Sequence, residues 1–204
     1  MGNQLIEVCC NMNEKQEKML QTIRDANESI SKKAVEYWKL YSWFDDWQFW
    51  IVITMLIVPL IVLFLKVDRS KILLLGFYGL NYHIWFAYTN SAGIRMGLWE
   101  YPYEILPVLP SFALDASLVP VSYMFMYQWT INHKKNFYLY STILSAVFAF
   151  ILKPILVSHN FFRMFEFVNY FTLFIFYVLF FVVSKLITNL FLKLQKSAPK
   201  GQTP

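Results

Sequence analysis

Apolar residues are distributed along this chain in two regimes. Over residues 1–44 they are sparse and recur at alternating spacings of three and four: Leu5, Cys9 and Met12, then Met19, Ile23, Ala26, Ile30 and Tyr37, with Gln16 and Lys33 interrupting. That spacing draws a single stripe down a helix over about five heptads, with Glu14, Lys18, Asp25 and Glu36 elsewhere on its surface. The stripe reads either as a coiled coil that pairs protomers or grips a partner, or as an amphipathic helix lying on a membrane or on the chain's own spans. From Trp47 onward the pattern changes to long apolar runs. Five of them, at about 47–65, 72–88, 112–131, 137–157 and 165–191, approach the roughly 20 residues needed to cross about 30 Å of hydrocarbon.

The pattern therefore predicts an all-α protein: a polytopic transmembrane helical bundle of about five spans, carrying an N-terminal amphipathic helix. Residues 1–44 form the helical tail, 45–192 the spanning domain, and 193–204 a disordered basic tail. The first run is entered through Trp43, Trp47 and Trp50, aromatic anchors of the kind that collect at membrane interfaces, and holds a single Pro59. The second contains Asn81 and His83, and the third is interrupted by Asp115 and Pro120; polar residues there favour positions inside the bundle. The nine aromatics between Phe165 and Phe181 go all round the fifth helix, as lipid-facing filler would.

Between the second and third runs lies a Pro-rich stretch, 91–110, that includes Gly97-Leu98-Trp99-Glu100-Tyr101-Pro102-Tyr103-Glu104-Ile105-Leu106-Pro107-Val108-Leu109-Pro110. Proline and glycine break helices, and non-helical backbone cannot face lipid. The stretch is either an interfacial loop or a re-entrant piece lining something polar.

Composition supports the class. The chain is 57% hydrophobic and 15% charged, where a soluble domain carries roughly a quarter charged residues. The net charge of +5 is spread among loops and tail, which excludes the concentrated basic face of a nucleic-acid site. Lys66, Arg69, Lys71, Lys134, Lys135, Lys193, Lys196 and Lys200 fall on one side of the expected topology, against Arg95 and Arg163 on the other. The positive-inside rule then puts the C-terminus in the cytoplasm, the N-terminus outside, and the Pro-rich stretch on the outer face of the plasma membrane. Cys9 and Cys10 are adjacent, too few for a zinc site; they are either acylated or apolar positions on a helix. Met1-Gly2 begins like a myristoylation signal, but Ile6 stands where Ser or Thr is required.

Candidate chemistry centres on Glu100, Glu104 and Asp115, the carboxylates between Asp68 and Glu166. The functional reading is a carboxylate cluster that takes a cation, proton or polar headgroup from outside. The plain reading leaves both glutamates solvated and makes Asp115 the cap of a short helix beginning at Ala116. Pro102 makes one helical face for Glu100 and Glu104 less favourable. A charge in hydrocarbon costs about 2.5–3.5 kcal/mol, so Asp115 requires a partner; Arg95 is nearest in sequence and Lys153 is the second candidate. Lys153 either snorkels to the interface or pairs with Asp115. His83, with Asn81 beside it, either relays protons or bonds to a neighbouring helix. His133 and His159 fall on opposite sides, so no metal trio is expected, and neither a cofactor motif nor a hydrolytic triad is present.

Several motifs resemble one family. They are Tyr37-Trp38, Trp47–Trp50, Asp68-Arg69, Gly97-Leu98-Trp99 with Tyr101-Pro102-Tyr103, Leu106-Pro107, Asp115 with Ser117, Pro120-Val121-Ser122-Tyr123-Met124, Tyr127-Gln128, and Ser145-Ala146 with Phe148 and Phe150. The family comprises small uncharacterised membrane proteins of about five spans from endospore-forming Gram-positive bacteria, and the likeness covers roughly residues 35–190. It implies a membrane location and no biochemical activity. Where the family is acidic this chain has Asn90, and where the family has Glu before Pro154 it has Lys153. Any carboxylate-based activity of the family is thereby put in doubt here.

The expected function is non-catalytic binding or assembly of a membrane partner or lipid-like ligand. The partners would be the bilayer itself and, through residues 1–44, a second copy or another membrane protein. One alternative is a small-solute or ion-coupled transporter using the outer-face carboxylates. Another is an intramembrane enzyme acting on lipid or isoprenoid, with the same carboxylates as acid and base.

Overall fold

The computed structural model describes residues 13–109 and 111–197. The expectations placed on Cys9, Cys10, Pro110 and residues 198–204 lie outside that range. Among the described residues there are six helices: α1 (Glu14–Tyr41), α2 (Trp47–Lys66), α3 (Ile72–Arg95), α4 (Val119–Asn132), α5 (Phe137–Ser158) and α6 (Tyr170–Lys196). A two-residue antiparallel ribbon pairs β1 (Trp99–Glu100) with β2 (Arg163–Met164), in the register Trp99 to Met164 and Glu100 to Arg163. The molecule is all-α. α2, α5 and α6 are each long and apolar enough to cross a membrane, with mean hydropathies of 2.6, 1.9 and 2.2.

Local chemistry sets most of the boundaries. α1 opens on Asn13, whose side chain accepts the Lys15 amide at 2.9 Å. α3 runs seven residues past the expected Tyr88 and stops at a glycine. Gly97 has φ +70, and the Leu98 and Gly97 amides return to the Gly93 and Ile94 carbonyls, a Schellman ending. α6 begins at Tyr170 instead of Phe165, because Asn169 accepts the Thr172 amide at 3.0 Å and Glu166 holds a positive φ. Its aromatics are also not all lipid-facing: Tyr177, Phe180 and Phe181 are buried in the core, while Phe171 is exposed.

Two prolines inside the apolar runs are accommodated by local widening. Pro120 follows a π turn at Leu114–Leu118, and Pro154 follows another at Phe148–Leu152 inside α5. Proline has no amide hydrogen and crowds the preceding turn, so it disrupts a regular helix; the wider i→i+5 turn just before it absorbs that disruption.

The core lies among α3, α4, α5 and α6 and is built largely from aromatic rings. Tyr82 stacks on Tyr123 with centroids 4.2 Å apart, and the Tyr123 hydroxyl meets Ser145 Oγ at 2.7 Å. α2 buries only Phe49 and Val52 and leaves most of its surface open. At the end of the bundle opposite the ribbon, Gln128 fastens the α2–α3 turn. Its Oε1 accepts the Asp68 amide at 2.8 Å and its Nε2 donates to the Lys66 carbonyl at 3.0 Å. Two of the family-like motifs, Asp68-Arg69 and Tyr127-Gln128, thus meet in space.

Candidate functional site

Asp115 and Lys153 each stand at a π turn, Asp115 within the first and Lys153 immediately after the second. Both are buried, Lys153 with 3% of its surface exposed. A buried charge requires partners, and those partners define the site.

Asp115 does not cap the following helix. Its Oδ1 accepts from Asn90 Nδ2 at 2.6 Å and its Oδ2 from Ser111 Oγ at 2.8 Å. Asn90 is the hub. Its Oδ1 in turn accepts the Trp99 indole N–H at 2.9 Å and the Tyr101 hydroxyl at 3.1 Å. Lys153 Nζ donates to the Tyr101 hydroxyl at 3.2 Å. Asp115 and Lys153 are therefore linked through Tyr101 and Asn90 instead of forming the direct pair the sequence suggested.

Lys153 does not snorkel either. Its ammonium sits 3.4 Å from the centroid of the Phe162 ring and 5.0 Å from that of Tyr101, an arrangement stabilised by attraction to the ring faces. α3 contributes Asn90, the segment after it Trp99 and Tyr101, and α5 Lys153. The Trp99 ring packs directly on Gly93, where a Cβ would overlap it.

The other candidates are placed as follows. His83 Nδ1 contacts the Asp115 backbone oxygen at 2.6 Å, the interhelical bond of its plainer reading. Asn81 donates to the Phe77 carbonyl of its own helix at 2.8 Å and takes no part in the network. Arg95 is exposed at the end of α3 and forms no ion pair among the described residues. Glu100 pairs across the ribbon with Arg163 at 3.1 Å. The Glu104 backbone is clamped by the end of α1 and the residue that caps it: its carbonyl accepts from Trp38 Nε1 at 3.0 Å, and its amide donates to Ser42 Oγ at 2.9 Å. Burial alone pushes the Glu104 carboxyl up to about 8.

The three carboxylates therefore occupy three different environments. No group of three His, Cys, Asp or Glu side chains is close enough to hold a metal among the described residues. The expected carboxylate cluster is replaced by a carboxylate–amide–phenol–ammonium chain.

Trp99 and Tyr101 lie in the Pro-rich stretch, but nothing in the sequence marks them individually, nor Ser111, Phe162 or Arg163, as site residues, and Asn90 is marked only by the family resemblance. Lys185 within α6 is a further residue outside the sequence candidates, its Nζ 4.0 Å from the Tyr127 ring centroid. A signal was present for Lys185, since a lysine in the middle of a long apolar run is expensive unless partnered.

Two spaces adjoin the site. A cavity of about 20 Å³ is lined by Asn90, Trp99, Tyr101 and Lys153 together with apolar residues of α3 and α6. On the ribbon side, a groove of about 490 Å³ runs between α1 and the 94–108 segment, bounded by Ile30, Tyr37, Glu100, Pro107, Val108 and Arg163. Comparison with protein-family models, curated proteins and solved structures found no match to this chain.

Proposed function

We infer that the protein is a multi-pass plasma-membrane protein that works by non-catalytic assembly, pairing with a second copy of itself through α1. The observation that carries this reading is α1. It is 28 residues long and buries none of them, and its apolar stripe is uncovered, with Met19 60% and Ile30 64% exposed. A stripe at heptad spacing is the seam a second helix fills.

Charge favours a helix over a lipid surface as the occupant. Across α1, Glu14, Glu17, Asp25, Glu28 and Glu36 offset Lys15, Lys18, Arg24, Lys32, Lys33 and Lys39. A helix that lies on anionic lipid has a strongly basic polar face, whereas a nearly balanced one is compatible with another copy of itself. The lower half of the stripe overhangs the groove at the 94–108 segment, so a partner helix would touch both. The Trp38 and Ser42 bonds to Glu104 fix the angle at which α1 leaves the bundle.

In this reading α3 and α4 complete five spans, the lysine bias sets the C-terminus in the cytoplasm, and the chain is a member of the bacterial family its motifs resemble. The transport and enzyme alternatives lack a shared carboxylate site, because Glu100, Glu104 and Asp115 are engaged separately.

The test is the oligomeric state of the full chain in mild detergent, by light scattering coupled to size exclusion. The wild type is expected to run as a dimer and Ile23→Asp/Ile30→Asp as a monomer with unchanged helical content. Equal masses for the two proteins would dismiss the assembly role of α1.

A further inference from the structure

Lys153 presents more donors than the protein uses. An ammonium has three N–H bonds; one goes to the Tyr101 hydroxyl, and two ring faces cover part of the remaining surface. The Tyr101 and Trp99 donors that also border the cavity are both directed at Asn90 Oδ1. Lys153 is therefore the charged donor facing the cavity, while Asp115 lies outside its lining, held by Asn90 and Ser111.

The exposure of the cavity's lining residues indicates where it opens. Nine of its lining residues are buried, and the two that are not, Thr89 and Phe176, mark the mouth. Thr89 lies six residues before the end of α3 and Phe176 six residues after the start of α6. At 1.5 Å of rise per residue the mouth sits about 9 Å below both helix ends, opening sideways between two helices. In a membrane that opening faces acyl chains. A space of about 20 Å³ admits one or two water-sized atoms, enough for the oxygens of a carboxylate and too little for a phosphodiester headgroup.

We propose that this cavity binds the carboxylate of a long-chain fatty acid, which enters from the lipid between α3 and α6 with its head on Lys153 and its chain left among the bilayer lipids. The contact is a charge-assisted hydrogen bond in a water-poor setting, where such bonds are strong. The aromatic walls from Phe86, Phe176 and Phe180 exclude water from the mouth.

The experiment measures radiolabelled oleate binding to the full chain in phosphatidylcholine nanodiscs. The expected result is saturable binding that methyl oleate and phosphatidylglycerol do not compete away. Affinity should fall by about tenfold or more in Lys153→Met, the loss of one charge-assisted contact. Thr89→Trp, which fills the mouth and leaves Lys153 in place, should lose binding as well, so the outcome does not depend on Lys153→Met folding. Non-saturable uptake, equal binding by both variants, or displacement by phosphatidylglycerol as effective as by oleate would overturn the proposal.

Discussion

Asn90 is the residue on which the site depends. It supplies a donor to Asp115 and an acceptor to both Trp99 and Tyr101, a combination of roles that no charged residue provides. Replacing it with Leu removes three buried hydrogen bonds at once and leaves the Trp99 indole N–H with no partner, while Asp115 and Tyr101 keep one partner each in Ser111 and Lys153; a buried donor or acceptor left unsatisfied costs about 1–3 kcal/mol. The Asn90→Leu variant should therefore lose markedly more thermal stability in detergent than Ser111→Ala, which removes one bond; similar midpoints would show that Asn90 is no hub. The exceptional character of Asp115 was legible in the sequence, since a carboxylate inside an apolar run always requires explanation. Its partners were not: Asn90 reaches Asp115 only once α3 and the first π turn are packed together, and Ser111, four residues before it, does so through a local turn at its positive φ that the apolar pattern does not announce.

Glu104 gives a residue-scale prediction in pH. Its carboxyl is raised by burial from 4.5 to about 8, so between those values the folded state keeps a proton that the unfolded state releases. Stability from this group is thus fully present below about 4.5, declines as pH rises, and levels off above 8. Glu104→Gln should gain stability over wild type progressively across that window in thermal-shift scans. A constant difference between the two proteins would mean that burial does not govern Glu104.

At the scale of elements, the segment after α3 acts as a buttress. The Schellman ending at Gly97 turns the chain back, the ribbon with β2 fixes its course, and Trp99 is seated on Gly93. Gly93→Ala places a methyl group where the Trp99 ring lies, so the ring must move and the bond to Asn90 is lost. The variant should show a red-shifted tryptophan emission and a lower unfolding midpoint, while Gly76→Ala, with open space around it, should show neither. The helices themselves were largely legible from the pattern, and the expected 137–157 run appears as α5 almost unchanged. The errors fell at ends. α3 continues past the polar Thr89-Asn90-Ser91 because Asn90 turns inward onto Asp115, and the Asn169 cap delays α6 beyond Phe165, Phe167 and Val168, whose apolar side chains extend the run in the sequence.

For the whole molecule, the architecture divides into an aromatic bundle that holds one buried charge network and a long helix that reaches away from it. No residue of α1 belongs to the bundle's core, and α1 touches the 94–108 segment mainly through its last turns, where Trp38 is half-buried and bonds to Glu104; removing residues 14–30 should leave the helical core and its thermal transition nearly intact. The stripe on α1 was visible in the sequence, but whether it folds back onto the bundle was not, because heptad spacing is the same for a helix covered by its own chain and for one that is uncovered. That distinction bears most directly on function, and cross-linking between copies addresses it. With a single cysteine at Ile30 in a chain whose Cys9 and Cys10 are replaced by Ser, oxidation in native membranes should produce a disulfide-linked dimer that Ile23→Asp abolishes. A chain that stays monomeric under oxidation, or one that cross-links equally with and without Ile23→Asp, would contradict assembly through α1.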